Sequence, residues 1–175
     1  TGQAVTYFTE GIVTDSTRYP CHHGFNFKGL HVGCHAHASP ISLVPSISTS
    51  CNSYYCWGLY HMLSNRRKYK TLEDAMNVWR DYMVSMGFGY KLGIDLPGEK
   101  RGMIPNAKFY DNAFKKWNPL SVISISIGQG EVNLTPLQIA NLGATIANRG
   151  YYFAPHVVRS IQGKKLDKKY VEKHH

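Results

Sequence analysis

Ser50 and Asn52 stand two positions apart in the run Pro45-Ser46-Ile47-Ser48-Thr49-Ser50-Cys51-Asn52-Ser53-Tyr54-Tyr55-Cys56, after an apolar segment and before an aromatic one. A hydroxyl donates and accepts a proton at one atom, and a carboxamide offers both a donor and an acceptor. The pair can therefore relay protons and hold a peptide-like substrate. The same residues also suit a polar turn between two helices, with Ser and Asn bonding to nearby backbone.

A second constellation overlaps the first. All four cysteines lie between residues 21 and 56, and five of the nine histidines (His22, His23, His31, His35 and His37) share that region. Cys21, Cys34, His37 and Cys51 form a Cys-x12-Cys-x2-His-x13-Cys set. Three thiolates and an imidazole suit a tetrahedral zinc ion, with no coordination position left for water, so such a site is structural. A Cys21–Cys34 disulfide closing the loop is the alternative, as are unpaired thiols with Cys56 buried on a helix as a small hydrophobe. The other four histidines are surplus, and either neighbour of a named ligand could replace it.

These residues need elements to hold them. Residues 1 to 13 read as the end of a helix running to a turn at Gly11. Residues 13–38 form an irregular Cys/His-rich loop with candidate short strands at Phe25–Phe27 and Leu30–Val32. Residues 39–64 are a helical joint: Ser39-Pro40 starts a short helix through Ile41, Leu43, Val44 and Ile47, and a second helix over Asn52 to Leu63 buries Tyr55, Leu59 and Met62. Thr71 caps a helix over 71–87 whose stripe Leu72, Ala75, Met76, Trp79 and Met83 is core, and Gly87 ends it. Residues 88–119 read as a Gly/Pro-rich loop region, and Val122 to Ile127, alternating apolar residues with Ser, as a strand. Thr135-Pro136-Leu137-Gln138 is a capping box opening a helix over 135–149, stopped by Gly150; Tyr151 to Ile161 is extended, and 162–175 is a charged tail.

A chain of 175 residues with 43% hydrophobic and 18% charged residues fits one globular domain. No run approaches the roughly 18 apolar residues of a membrane helix, and no signal peptide opens the chain, which reads as soluble as it stands. The formal charge of +9 could suit an anionic partner, but the Lys and Arg residues sit in loops and ends rather than in a stripe, so the expectation is no nucleic-acid binding. The glycine-rich stretch 87–106 has neither a preceding strand nor a following Gly-Lys-Ser/Thr, which excludes a phosphate loop.

Five motifs recur in order: Ser50-Cys51-Asn52, Gly93-Ile94-Asp95-Leu96-Pro97-Gly98-Glu99, Ile127-Gly128-Gln129-Gly130, Thr135-Pro136-Leu137-Gln138-Ile139-Ala140 and Ala147-Asn148-Arg149-Gly150. Together they resemble the transpeptidase domain of class B penicillin-binding proteins, most closely the type 2, cell-elongation members, from about Glu10 to Arg159. The resemblance implies an α/β penicillin-binding transpeptidase (β-lactamase-like) fold, here mostly its helical lobe with a few short strands. It further implies a serine acyl-enzyme that crosslinks peptidoglycan stem peptides and is trapped by β-lactams. By resemblance Ser50 takes the proton-relay role and Asn52 holds the substrate amide.

No Ser in this sequence is followed three places later by Lys, and no Lys-Thr-Gly occurs. By resemblance the nucleophile lies shortly before residue 1 and the Lys-Thr-Gly strand after residue 175, so this chain alone is expected to be inactive. The parent is expected at the bacterial inner membrane, anchored upstream, with this domain facing the periplasm and an elongation-type glycosyltransferase as partner. Some relatives are thought to carry a metal at the matching place, with carboxylates where Cys21 and Cys34 stand here. The competing reading is a zinc-stabilised, non-enzymatic structural or partner-binding module.

Overall fold

Six α-helices and one two-stranded hairpin make up the regular structure of residues 1–175 in this computed structural model, apart from short 3-10 turns. The chain divides into two compact units: residues 1–80 with 105–131, and 81–104 with 132–175. No helix is long and apolar enough to cross a membrane.

The first unit opens with α1 (Gly2–Thr9), which stops at Gly11 in the left-handed region. The expected strands form: β1 (Gly24–Phe27) pairs antiparallel with β2 (Leu30–Gly33), Phe25 opposite Val32 and Asn26 opposite His31. Lys28 and Gly29 both take positive φ at its tip, the conformation a two-residue hairpin requires. Then come α2 (Leu43–Ser48) and α3 (Asn52–Ser64). The latter is buried nearly all round; Tyr54, Cys56, Leu59, Met62 and Leu63 are fully enclosed, and Ser53 donates to Pro20 O at 2.7 Å. Next, α4 (Leu72–Ser85), which belongs to this unit as far as Arg80, is opened by a reciprocal cap in which Asp74 N donates to Thr71 Oγ1 and Thr71 N to Asp74 Oδ2. Its residues Ala75, Met76 and Trp79 are buried as expected, and Trp79 Nε1 donates to Gln3 at 2.8 Å.

Three expectations are corrected. The short helix starts at Leu43, not after Ser39-Pro40: Ser39 Oγ accepts from Cys21 N, and Ile41 pairs with Tyr19 in an antiparallel bridge, so neither is free to begin a helix. Residues 88–119 are not all loop, because Asn106 caps α5 (Ala107–Ala113) by accepting from Phe109 N at 2.8 Å. The supposed strand at Val122 to Ile127 is a 3-10 helix over Ile123–Ile127. Alternating Ile and Ser satisfied a two-residue period, but a three-residue turn puts residues 123 and 126 on one side. Ile123 and Ser126 are indeed both buried, and Ser126 Oγ donates back to Ile123 O at 2.6 Å.

In the second unit, α6 (Pro136–Ala147) begins with the expected capping box: Thr135 accepts from Gln138 N, and Gln138 Oε1 accepts from Thr135 N. The Gly93–Glu99 motif is a loop held by its carboxylates. Glu99 accepts from Gly93 N and Ile94 N, while Asp95 accepts from Val157 N and Val158 N at 2.8–3.1 Å. Those last donors hold the Asp95 carboxyl below its usual range. The charged tail is tied back, since Tyr152 and His174 exchange backbone hydrogen bonds at 2.9 and 2.8 Å.

Candidate metal centre and the Ser-x-Asn joint

Each of Cys21, Cys34, His37 and Cys51 is fixed through its own backbone or a neighbour's. Cys21, two residues past Tyr19 of the Tyr19–Ile41 bridge, donates its N–H to Ser39 Oγ at 3.0 Å. Cys34 follows β2 and continues the hairpin ladder, N–H to His23 O at 2.9 Å. Cys51 caps α3, its sulfur accepting from Tyr54 N at 3.4 Å. His37 donates from Nδ1 to Ala38 O at 2.8 Å, which leaves Nε2 to face Cys34 Sγ at 3.5 Å. A backbone carbonyl on one ring nitrogen is how proteins usually aim the other at a metal.

The four ligand atoms all lie within 4.8 Å of one another. Thiolates around a tetrahedral zinc with Zn–S near 2.3 Å stand about 3.8 Å apart, so the cluster needs only a small contraction to fit that ion. The donor set, three sulfurs and one imidazole nitrogen, is a chemical match as well. Cys21 and Cys34 are unlinked, and every cysteine is a free thiol.

Burial pushes the Cys51 thiol up to about 12 and raises that of Cys21. At Cys34 burial acts the same way, but backbone N–H groups of Asn52 and Ser53 and the His37 ring outweigh it and lower the thiol. The Ala38 carbonyl raises His37. A bound dication would lower all three thiols, because a coordinating thiol is deprotonated outright. Of the surplus histidines, His31 is engaged with Asn26, and His35 approaches Cys34 Sγ at 3.9 Å and lies edge-on to the His37 ring at 5.4 Å. Cys56 is buried, with its Sγ 3.4 Å from Ser126 Oγ, as befits a core residue.

The Ser-x-Asn joint grows from the same turn. Ser50 N–H donates to Ile47 O and Cys51 N–H to Ser46 O, at 3.2 and 3.0 Å, closing α2 with a Schellman motif. Ser50 occupies the left-handed position, φ +51, that glycine normally fills. The residue is exposed. A side chain kept at strained backbone points to use of that side chain. Asn52 opens α3 and donates from Nδ2 to Gly33 O at 2.9 Å, so its Oδ1 is the atom left to accept. Cys51, between them, is at once the end of the Schellman turn, the cap of α3 and a member of the sulfur cluster. Two supporting groups, Ser39 behind Cys21 and the Gly33 carbonyl behind Asn52, carried no sequence signal for these roles; Ser39 instead resembled a helix cap.

A sequence profile described as penicillin binding protein transpeptidase domain matches residues 3–175. A peptidoglycan D,D-transpeptidase MrdA from Acinetobacter baumannii is 38% identical over 126 residues, which is 71% of this chain and 17% of that protein. A chain solved in a study of structural coordination of polymerization and crosslinking by a peptidoglycan synthase complex superposes with TM-score 0.77 at 29% identity, covering 93% of this chain and 26% of its own. Pseudomonas aeruginosa PBP2, solved in complex with WCK 5153, gives TM-score 0.76 at 22% identity over 99% of this chain and 38% of its own. The chain thus spans under a fifth of its curated MrdA relative, and across nearly all its own length it belongs to the penicillin-binding protein transpeptidase domain family, as a fragment of the PBP2 type.

Proposed function

We propose that this chain is the middle portion of a serine-type peptidoglycan D,D-transpeptidase of the elongation type. It supplies the Ser50 proton relay and the Asn52 carboxamide that holds the stem-peptide amide. The observation that carries this reading is the joint itself: Ser50 is held at left-handed backbone where glycine would cost less, and Asn52 keeps its Oδ1 available while Nδ2 is anchored to Gly33. Within these 175 residues there is no Ser-x-x-Lys and no Lys-Thr-Gly, so the acylated serine is not among them. The parent works at the periplasmic face of the bacterial inner membrane, is the target of β-lactams, and partners a glycosyltransferase. Support for the partner comes from the relative studied in a synthase complex that coordinates polymerization with crosslinking.

Cys21, Cys34, His37 and Cys51 hold a structural zinc in this reading. Four protein ligands leave no open position, so the metal supplies rigidity rather than an activated water. Through Cys51 it fixes the backbone between Ser50 and Asn52, and through Cys34 it fixes the end of β2 beside Gly33.

Labelling with a fluorescent penicillin tests the proposal. The chain alone should take up no covalent label, because covalent catalysis needs its nucleophile. Extended to include both missing motifs, it should be labelled, and Ser50→Ala should slow labelling by roughly 10²-fold or more, as loss of a general acid–base group does. Label on the chain alone, or unchanged labelling of the extended Ser50→Ala variant, contradicts these roles. Absence of label on the extended chain would instead favour a zinc-stabilised, non-enzymatic module.

A further inference from the structure

The metal reading places three sulfurs where an oxidant can act on them. Of these, Cys34 is partly exposed, whereas Cys21 and Cys51 retain 6% and 0% of their accessible surface. The sulfurs of Cys21, Cys34 and Cys51 all lie within 4.8 Å of one another. Cys51 is the least able to move, since its sulfur caps α3 and its N–H closes the turn after α2. Cys21 comes from a segment outside any helix or strand.

We propose that this centre is a reversible thiol-oxidation site, in which a hydroperoxide oxidises Cys34, Cys21 closes a disulfide onto it, and the metal is released. The proposal rests on the zinc reading above. In the first step the Cys34 thiolate attacks the peroxide: an S–O bond forms, the O–O bond breaks, and sulfur gives up two electrons as hydroxide or alkoxide departs. In the second, the Cys21 thiolate attacks the sulfenic sulfur; an S–S bond forms, the S–O bond breaks, and hydroxide leaves to be protonated to water. Two thiols and one hydroperoxide thus become a disulfide, an alcohol or water, and water.

With two of four ligands joined to each other, only His37 and Cys51 remain for the metal, too few to retain zinc. The disulfide that the cysteine spacing offers as an alternative to zinc becomes the oxidised state of the same site. Its consequence reaches the joint directly, because the ligand set free, Cys51, is bonded in sequence to both Ser50 and Asn52. Sulfur donors make this possible, since a carboxylate in the place of Cys34 would ligate zinc but could not be oxidised.

The test begins with metal analysis of the untreated chain, which separates the two layers of the argument. Less than stoichiometric zinc in every preparation would overturn the metal reading. Hydrogen peroxide followed by peptide mapping then still decides the thiol chemistry on the metal-free chain: a Cys21–Cys34 link supports it and free thiols overturn it. If zinc is present, peroxide should release one equivalent to a chromophoric chelator, with a Cys21–Cys34 link by mass spectrometry, and a thiol reductant should restore binding. Zinc and thiols that survive the treatment, or release without that link, overturn the proposal. Cys34→Asp should keep its zinc under the same peroxide, and release at the wild-type rate would contradict Cys34 as the point of attack.

Discussion

At position 58 a single missing methyl group sets how closely α1 approaches α3. A Cβ added to Gly58 would stand 2.4 and 2.5 Å from Cδ2 and Cε2 of Tyr7, whose ring is wholly buried and whose hydroxyl donates to Tyr55 O at 3.2 Å. Alanine favours a helix over glycine by about 1 kcal/mol, but overpacking a buried ring costs about 1–3 kcal/mol, so Gly58→Ala should destabilise the chain in urea unfolding. Unchanged or increased stability would mean that Tyr7 yields without loss. This contact was not legible in the sequence, where Gly58 is only a weak spot in a helical pattern. The grouping of Cys21, Cys34, His37 and Cys51 within 4.8 Å of one another was legible, because Cys and His are scarce and crowd into one short stretch of the sequence. The left-handed backbone of Ser50 was not, since it is dictated by the Schellman turn and not by the serine.

Among the elements, α6 shows most plainly what a pattern can and cannot reveal. Its start was readable from Thr135-Pro136-Leu137-Gln138, because a capping box is a local bargain between side chains and nearby backbone. Its buried face was not. Ile139 and Ile146 are 55% and 49% exposed, while Gln138 and Asn141 are buried. The reason is Gln138, whose Nε2 donates to the carbonyls of Tyr90 and Arg101 at 2.8 and 2.9 Å while its Oε1 completes the cap. Likewise Val122 to Ile127 misled, because its alternation of Ile and Ser does not follow burial: Ser126 is buried together with Ile123, while Ile127 is only half-buried. Thr135→Ala should therefore cost about 1 kcal/mol, the usual worth of a cap. Gln138→Ala should cost more, because it also removes the donor from two carbonyls, each worth about 1–3 kcal/mol if left unbonded in the interior. The two variants compared by far-UV circular dichroism in urea decide this; equal losses would mean that water replaces Gln138 without penalty.

For the whole molecule, the division into units gives metal removal a local readout. Trp57, Trp79 and Trp117 all fall in the first unit, which also holds the four proposed ligands. That unit includes a hairpin of two four-residue strands, and an isolated pair of that length is marginal in water. Its inner face packs aromatic rings, Phe25 edge-on to Trp57 at 4.7 Å, but Cys34 and His37 lie past the end of β2, Cys34 held there by one backbone bond to His23 O. A ligand that binds only the folded state stabilises it by mass action, and a metal site assembled from residues spread over 21 to 51 cannot persist in the unfolded chain. Chelation should therefore lower the thermal midpoint reported by tryptophan fluorescence, and stoichiometric zinc should restore it. If that midpoint is the same with chelator as with zinc, the sulfur cluster contributes no metal-linked stability, and the polar loop must be held by its hydrogen bonds and aromatic packing alone.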